Sequence, residues 1–544
     1  MRPKRDVETR SAPAPALATA PSPPLPPSLL PPNDAPVTNW SGTREVVPAV
    51  LAQPESLAEL EAVVAAAHAA RAKLRPVGSA LSPNGLAFEA GGMVSLALMD
   101  KVMSVDKEAR TVTAQAGARV ADVTAALKPH GLTLPVYASI KEQSIGGYLQ
   151  AGVHGTGARI PPADAAALGL TLVTPGRGTL RLTASDPLFR LATVGLGALG
   201  VVAEATLACD AATWLVETTR VVERAAAVEG HAARLAAHRH VRYMWIPYVD
   251  AVVIVALDEA APGTLAVGPA PDAAAARAPL DALVPRAAAL RGGAEGATPG
   301  SLSDLSPMLL RQWLLGAAPL DAGWVAAVNA AEAAHWARAA GGRAGWSDDM
   351  LGFDCAGAQW VLEVALPAGT LERPTGADMR FMADLLAAAE AAGVPAPAPI
   401  EQRWTAGSPS TLSPAAGGGE DVFTWVGVIM YVPDADADDA SSSDAAARPA
   451  SVAAVEAAFD AYAGIIEKEL GPRYGACEHW AKVEPRRLDV RAKRAALGAR
   501  FPGAAAAFAD ARRELDPRNV LGGAIVDALF PHPGEKEGEE GGGA

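Results

Sequence analysis

The pattern of apolar and polar positions changes character along the chain. Ser56 followed three residues later by Glu59 forms a capping box at the head of SLAELEAVVAAAHAARAKL, so a helix is expected there, running into a short strand at Leu74–Val77. TVTAQAG at 111–117 alternates with period two, as a half-buried strand does. RVADVTAALKPHG after it reads as a helix with Gly131 placed to cap its C-terminus. Up to about residue 215 helix and strand signals alternate with glycine-rich turns, an α+β pattern. Beyond it, YMWIPYVDAVVIVAL and VFTWVGVIMYV read as longer strands, separated by alanine-rich helices such as VAAVNAAEAAHWARAA. A second α+β domain with its own sheet is expected. Two low-complexity stretches, roughly 258–303 and 434–450, read as surface insertions. No repeat recurs at a fixed period.

Composition narrows the picture. The 544 residues allow three or four units, and residues 1–36, rich in Pro, Ala and Ser, read as a disordered or transit leader. Residues 531–544 read as a solvated acidic tail. No stretch approaches 18 consecutive apolar residues, the length of a membrane-spanning helix. The formal net charge of −14 argues against nucleic-acid binding and favours cationic partners. Cys209, Cys355 and Cys477 are far apart and form no CxxC pair, so neither structural zinc nor a disulfide framework is expected. Cys355 is read as a buried inert cysteine, with an oxidation-sensitive thiol as the alternative.

Candidate chemistry lies in the glycine loops. GLGALG at Gly195–Gly200 matches G-x-G-x-x-G. A dinucleotide fold needs a strand before it and a helix after, whereas DPLFRLATV before reads as helix and VVAEATLAC after as strand, so the motif is rejected. PVGSALSPNG at 76–85 leaves a strand with small and hydroxylated residues, so that consecutive N–H groups can converge on a pyrophosphate. In ASIKEQSIGGYLQAGVHGTGAR, residues 138–159, five glycines surround Ser144, His154 and Thr156, as a large ligand lying along the backbone would require.

These residues resemble the flavin-dependent oxidoreductases of the vanillyl-alcohol oxidase type, in particular their aldonolactone branch. The resemblance is carried by NWSGTREV, RPVGSALSPNG, LALMDKV, ASIKEQSIGG, HGTGARIPP, LGVVAEATL, GWSDDMLGFDC, APAPIEQRWTA, EHWAKVE and RRELDPRNVL, collinear from about Trp40 to Phe530. It implies an α+β fold: a two-subdomain FAD-binding domain of the PCMH type at 40–215, a substrate or cap domain with a large antiparallel sheet at 216–470, and a segment at 471–530 returning HWAK to the flavin. The implied activity is FAD-dependent oxidation of L-galactono-1,4-lactone to L-ascorbate with cytochrome c as acceptor. An oxygen-using aldonolactone or alditol oxidase is the alternative, and a respiratory complex I assembly role is a reading of another class. A mitochondrial location is implied as well.

By the same resemblance the FAD contacts are Pro76, Val77, Gly78, Ser79, Ala80, Leu81 and Ser82; Ala138, Ser139, Ser144, Gly146 and Gly147; Gly152, His154, Gly155, Thr156 and Gly157; and Gly200, Val201 and Val202. Leu81 stands where many relatives carry a histidine bonded covalently to the flavin, so non-covalent FAD is expected. Ala138 stands where alanine accompanies poor oxygen reactivity. Ala80 replaces a glycine usual in the branch, and Gly407 a frequent arginine. The implied reaction passes a hydride to flavin N5 while a hydroxyl proton leaves, so cations are needed near the alcohol oxygen and the flavin N1–C2=O edge. Glu401 and Arg403 at i and i+2 share one face of a strand and can bind the hydroxyl and stabilise developing alkoxide. Lys482 is expected to orient substrate or stabilise reduced flavin, and His479 to support the isoalloxazine edge. His238 and His240 are read as solvated or structural, and no metal site is expected.

Overall fold

The computed structural model describes residues 35–266, 272–291, 302–352, 357–433, 451–487 and 489–532. The leader, most of the acidic tail, Cys355 and the 434–450 insertion therefore lie outside the described residues.

The first region holds two main sheets, beside two short two-stranded pairs at Val37–Thr38 with Glu45–Val46 and at Leu132–Thr133 with Asp210–Ala211. Strands β1 (Leu51–Ala52), β2 (Arg75–Val77) and β3 (Met93–Ser95) form a parallel sheet in the order β1-β3-β2. Helix α1 (Leu57–Ala70) makes the crossover from β1 to β2. It starts where Ser56 accepts from the Glu59 N–H while the Glu59 carboxylate reaches back to the amide of Glu55. Strands β4 (Val102–Asp106), β5 (Thr111–Gln115), β6 (Ala167–Thr174), β7 (Gly178–Thr183) and β8 (Val201–Ala208) form an antiparallel sheet in the order β7-β6-β8-β5-β4. Helices α2 (Val120–Leu127) and α3 (Ile145–Gln150) pack on it, and Gly131 closes the turn after α2 at φ 68°. One core joins Leu60, Val112, Tyr148 and Leu172 to Trp480, Phe508 and Phe530. The C-terminal helices are thus part of this first unit in space, although remote in sequence.

The second region is an eight-stranded antiparallel sheet. Its strands are β9 (Trp214–Val222), β10 (His240–Trp245), β11 (Val252–Ala260), β12 (Gly341–Trp346), β13 (Gln359–Thr370), β14 (Ile400–Ala406), β15 (Asp421–Tyr431) and β16 (Cys477–Glu478). They lie in the order β12-β9-β11-β10-β14-β15-β13-β16. The run Tyr243–Leu257, read as one longer stretch of strand, is a hairpin, because Pro247 and Tyr248 (φ 64°) turn the chain and pair Trp245 with Val252. Alternation then sorts the sheet. Tyr243, Trp404, Leu362 and Val426 pack under the helices at Ala377–Ala391 and Val452–Gly464, while Arg242, Glu363, Glu401 and Arg403 line a cavity on the other face. The 258–303 stretch is less of an insertion than its composition suggested. Its helices Ala273–Asp281 and Val284–Leu290 bury Leu280 and Ala287 against Leu310 and Trp324.

Candidate active site

A cavity of about 680 Å³ lies between the glycine loops of the first region and the open face of the large sheet. The loop that leaves β2 forms one wall. The amides of Ser79 to Ser82 meet no acceptor among the described residues, so four consecutive donors stand free in the wall of a cavity, the arrangement that binds phosphate oxygens. The loop turns at Ala80, whose φ of 51° is a left-handed conformation that alanine pays for and glycine does not. The departure noted in the sequence is therefore a strained residue. A Cβ on Gly78 would collide with the Ser144 hydroxyl, which caps α3 by accepting from the Gly147 amide at 3.4 Å. Fully buried Arg75 ties three loops around this wall through its bonds to the carbonyls of Leu86 (2.8 Å), Leu521 (2.6 Å) and Leu196. Burial lowers its pKa to about 10.

Pro76 to Ser82, Ala138, Ser139, Ser144, Gly146, Gly147, His154, Gly200, Val201 and Val202 all line the cavity. Four of the residues assigned to the cofactor do not. Gly152 (φ 69°) packs on Pro414, and a Cβ at Gly155 would meet the Tyr137 carbonyl at 2.9 Å. Thr156 Oγ1 donates to the Val241 carbonyl at 2.8 Å and the Gly157 amide to the Trp404 carbonyl at 2.7 Å. These residues join the first region to the sheet, because the chain must run close against two strands there. His240 belongs to the same joint, with Nδ1 2.6 Å from the Thr156 carbonyl and its pKa lowered by burial to about 4. The rejected GLGALG follows a helix at Phe189–Ala192 and precedes β8. Its Gly197 (φ 66°) packs against Pro76.

The facing wall carries charge. Glu401 and Arg403 do share one face of β14, with Arg403 Nε 3.3 Å from Glu401 Oε2 and Arg242 Nη1 3.5 Å from Glu401 Oε1. Lys482 arrives from the turn Trp480–Lys482 that follows β16. Asn84 of the cradle loop anchors that turn through the carbonyls of Trp480 and Val483, both at 2.8 Å. His479 caps the turn. Its Nδ1 accepts from the Ala481 amide at 3.1 Å, which leaves its proton on Nε2, and burial keeps the ring neutral by pulling its pKa well below the usual range.

Sequence reasoning missed the centre of this wall. Glu363 on β13 is buried and accepts from Arg403 Nη2 at 2.8 Å, from Lys482 Nζ at 2.8 Å, and faces His154 Nε2 at 3.0 Å. Desolvation would raise its pKa, but the cations and His154 outweigh it and hold the carboxyl well below the usual carboxylate range. His154 stacks on Trp425 at 3.7 Å and is kept from charging chiefly by burial. The signal was a lone acid inside the apolar run WVLEVAL, because a buried carboxylate must find cations or neutralise. The donor atoms of His154, Glu363 and His479 come within 4.8 Å of one another. Both Glu363 oxygens are already taken, and the two adjacent cations repel a metal ion.

Residues 48–183 match the model of an FAD binding domain, and the free amides and glycine wall fit that group. The chain is 44% identical over 514 residues to the mitochondrial L-galactono-1,4-lactone dehydrogenase of Arabidopsis thaliana, covering 91% of this chain and 81% of that one. It is 46% identical over 505 residues to the mitochondrial L-galactono-1,4-lactone dehydrogenase 1 of Oryza sativa subsp. japonica, covering 91% and 84%. The chain belongs to the L-galactono-1,4-lactone dehydrogenase family. The fold of the chain recurs in more distant solved structures. Cholesterol oxidase from B. sterolicum superposes with a TM-score of 0.67 at 15% identity, covering 91% of this chain and 96% of that one. A solvent-stable cholesterol oxidase gives 0.68 at 18%, covering 93% and 99%. At that identity the likeness concerns the fold alone.

Proposed function

We propose that the chain oxidises L-galactono-1,4-lactone to L-ascorbate in this cavity, using Glu401, Arg403 and Lys482 against the lactone. The reading is carried by one observation: an anion-binding backbone cradle and a row of charged side chains face each other across a single cavity. Bound FAD would supply a two-electron acceptor for the hydride leaving a substrate carbon. Ser79 to Ser82 and Gly146 and Gly147 at the start of α3 would hold it. Glu401 accepts the substrate hydroxyl and takes up its proton, and the Arg403 guanidinium, whose Nε lies beside Glu401, stabilises alkoxide character. His479 cannot act as the base, because the Ala481 amide occupies its Nδ1 lone pair and its proton sits on Nε2, so it serves as a fixed donor.

Leu81 lines the cavity and has no nucleophile, which supports dissociable FAD. Ala138 lines it too and supports a dehydrogenase over an oxidase. The net charge of −14 supports basic cytochrome c as acceptor through steering, and the relatives' names support a mitochondrial location. An assembly role at respiratory complex I rests on the resemblance alone.

The test is a visible spectrum of the purified holoprotein before and after anaerobic L-galactono-1,4-lactone, followed by denaturation. Bleaching with releasable flavin is expected. Flavin that stays oxidised would remove this substrate, and substantial peroxide formation in air would favour the oxidase.

A further inference from the structure

Glu363 lies outside the hydroxyl chemistry assigned to Glu401 and Arg403, yet it is where the charged wall converges. Arg403 comes from β14 and Lys482 from the turn after β16, and they meet on its carboxylate, each at 2.8 Å. The backbone holds it as firmly as the side chain does. Glu363 pairs with Gly427 in the sheet, and its own carbonyl accepts from the His479 amide at 2.9 Å. Nothing larger than hydrogen stands on Gly427, where a Cβ would lie 3.9 Å from the Glu363 carboxylate. Around the cavity Arg75, Arg242, Arg311, Arg403 and Lys482 are basic and Glu332, Glu363 and Glu401 acidic, Arg311 and Glu332 being paired with each other. Without Glu363, Arg403 Nη2 and Lys482 Nζ would lose the carboxylate they share, while Arg403 Nε keeps Glu401, and a guanidinium and an ammonium side by side are what a ligand carboxylate binds.

That matters because water opens a 1,4-lactone to an open-chain aldonate, which keeps the lactone's hydroxyls, gains one at C4 and carries a carboxylate. We infer that Glu363 is a positioning and specificity-determining residue: it sets the spacing of Arg403 and Lys482 and fills the donors that an aldonate carboxylate would otherwise take, so that the cavity favours the neutral lactone. The inference rests on the substrate assignment above.

The experiment uses the FAD-loaded protein and two variants, Glu363→Gln and Glu363→Asp. L-galactonate binding to the oxidised enzyme is read from perturbation of the flavin spectrum, lactone affinity and reduction rate from anaerobic stopped flow, and the flavin midpoint potential from a dye-coupled titration. In Glu363→Gln, L-galactonate should bind at least tenfold more tightly and half-saturation by lactone should need at least tenfold more. The midpoint potential should move positive, because an anion has left the cavity. Glu363→Asp keeps the charge, so it should retain discrimination against L-galactonate while reduction slows. An unchanged ratio of galactonate to lactone affinity in Glu363→Gln would overturn the inference, as would an equal gain of anion affinity in Glu363→Asp. Loss of bound FAD in Glu363→Asp would make Glu363 a folding residue and overturn it too. Anion binding needs no turnover, so a wild-type flavin left oxidised by the lactone would sink the substrate assignment separately.

Discussion

The two walls of the cavity are built on opposite plans. The first region meets it with small residues and free backbone amides from Ser79 to Ser82, and with glycines whose missing side chains make room. The sheet meets it with Arg242, Glu363, Glu401 and Arg403 at alternate strand positions, and Lys482 from a neighbouring turn joins them. A backbone wall suits a large polyanionic cofactor, since many weak fixed dipoles match an extended shape. A side-chain wall suits chemistry, since charge must appear at one atom and be answered there.

The contrast can be broken in order of effect. Arg403→Ala should slow flavin reduction by lactone about a thousandfold, the upper end of the range for removing one positioned transition-state donor, with FAD content unchanged. Stopped-flow reduction at wild-type rate would take Arg403 out of the chemistry. Gly78→Ala should act on the other quantity, weakening FAD up to about a hundredfold through the clash with Ser144, and leaving reduction of whatever flavin stays bound near normal. Ser144→Gly in the same chain should restore flavin content.

The joint between the walls titrates. His240 has a folded pKa of about 4, below the unfolded value near 6.5, so its contribution is present above the unfolded pKa and is lost as pH falls toward the folded one. From this group, stability at pH 5 should be about 2 kcal/mol lower than at pH 7. Denaturant unfolding of wild type and His240→Gln at both pH values checks it, since the difference should shrink in the variant. Thr156→Ala should cost about 1 kcal/mol through the lost bond to Val241 without reducing FAD content. A drop in FAD content would return Thr156 to the cradle. The smallest effect is expected of Ala80→Gly, which relieves a left-handed φ and should stabilise the holoprotein by about 1 kcal/mol or less.

Much of this was legible in the chain. Local signals such as the Ser56–Glu59 box and the Gly131 turn depend on neighbours a few residues away, and they appear in the structure as read. Glu401 and Arg403 were placed on one face because strand periodicity is local too. Thr156 and Gly157, read as cofactor contacts, lie outside the cavity lining, because a glycine-rich run looks alike whether it approaches a ligand or another strand. Their partners, Val241 and Trp404, are far away in sequence.

By itself the sequence determined most elements of the first region, the rejection of GLGALG and the family. Each depends on residue type and short spacing, or on collinear segments. Only the tertiary structure decided that Glu363, Arg403, Lys482 and His154 form one cluster, since it gathers groups separated by as many as 328 positions onto one carboxylate. The pKa directions of Glu363, His154 and His479 belong there as well, because burial and the charges of distant residues set them.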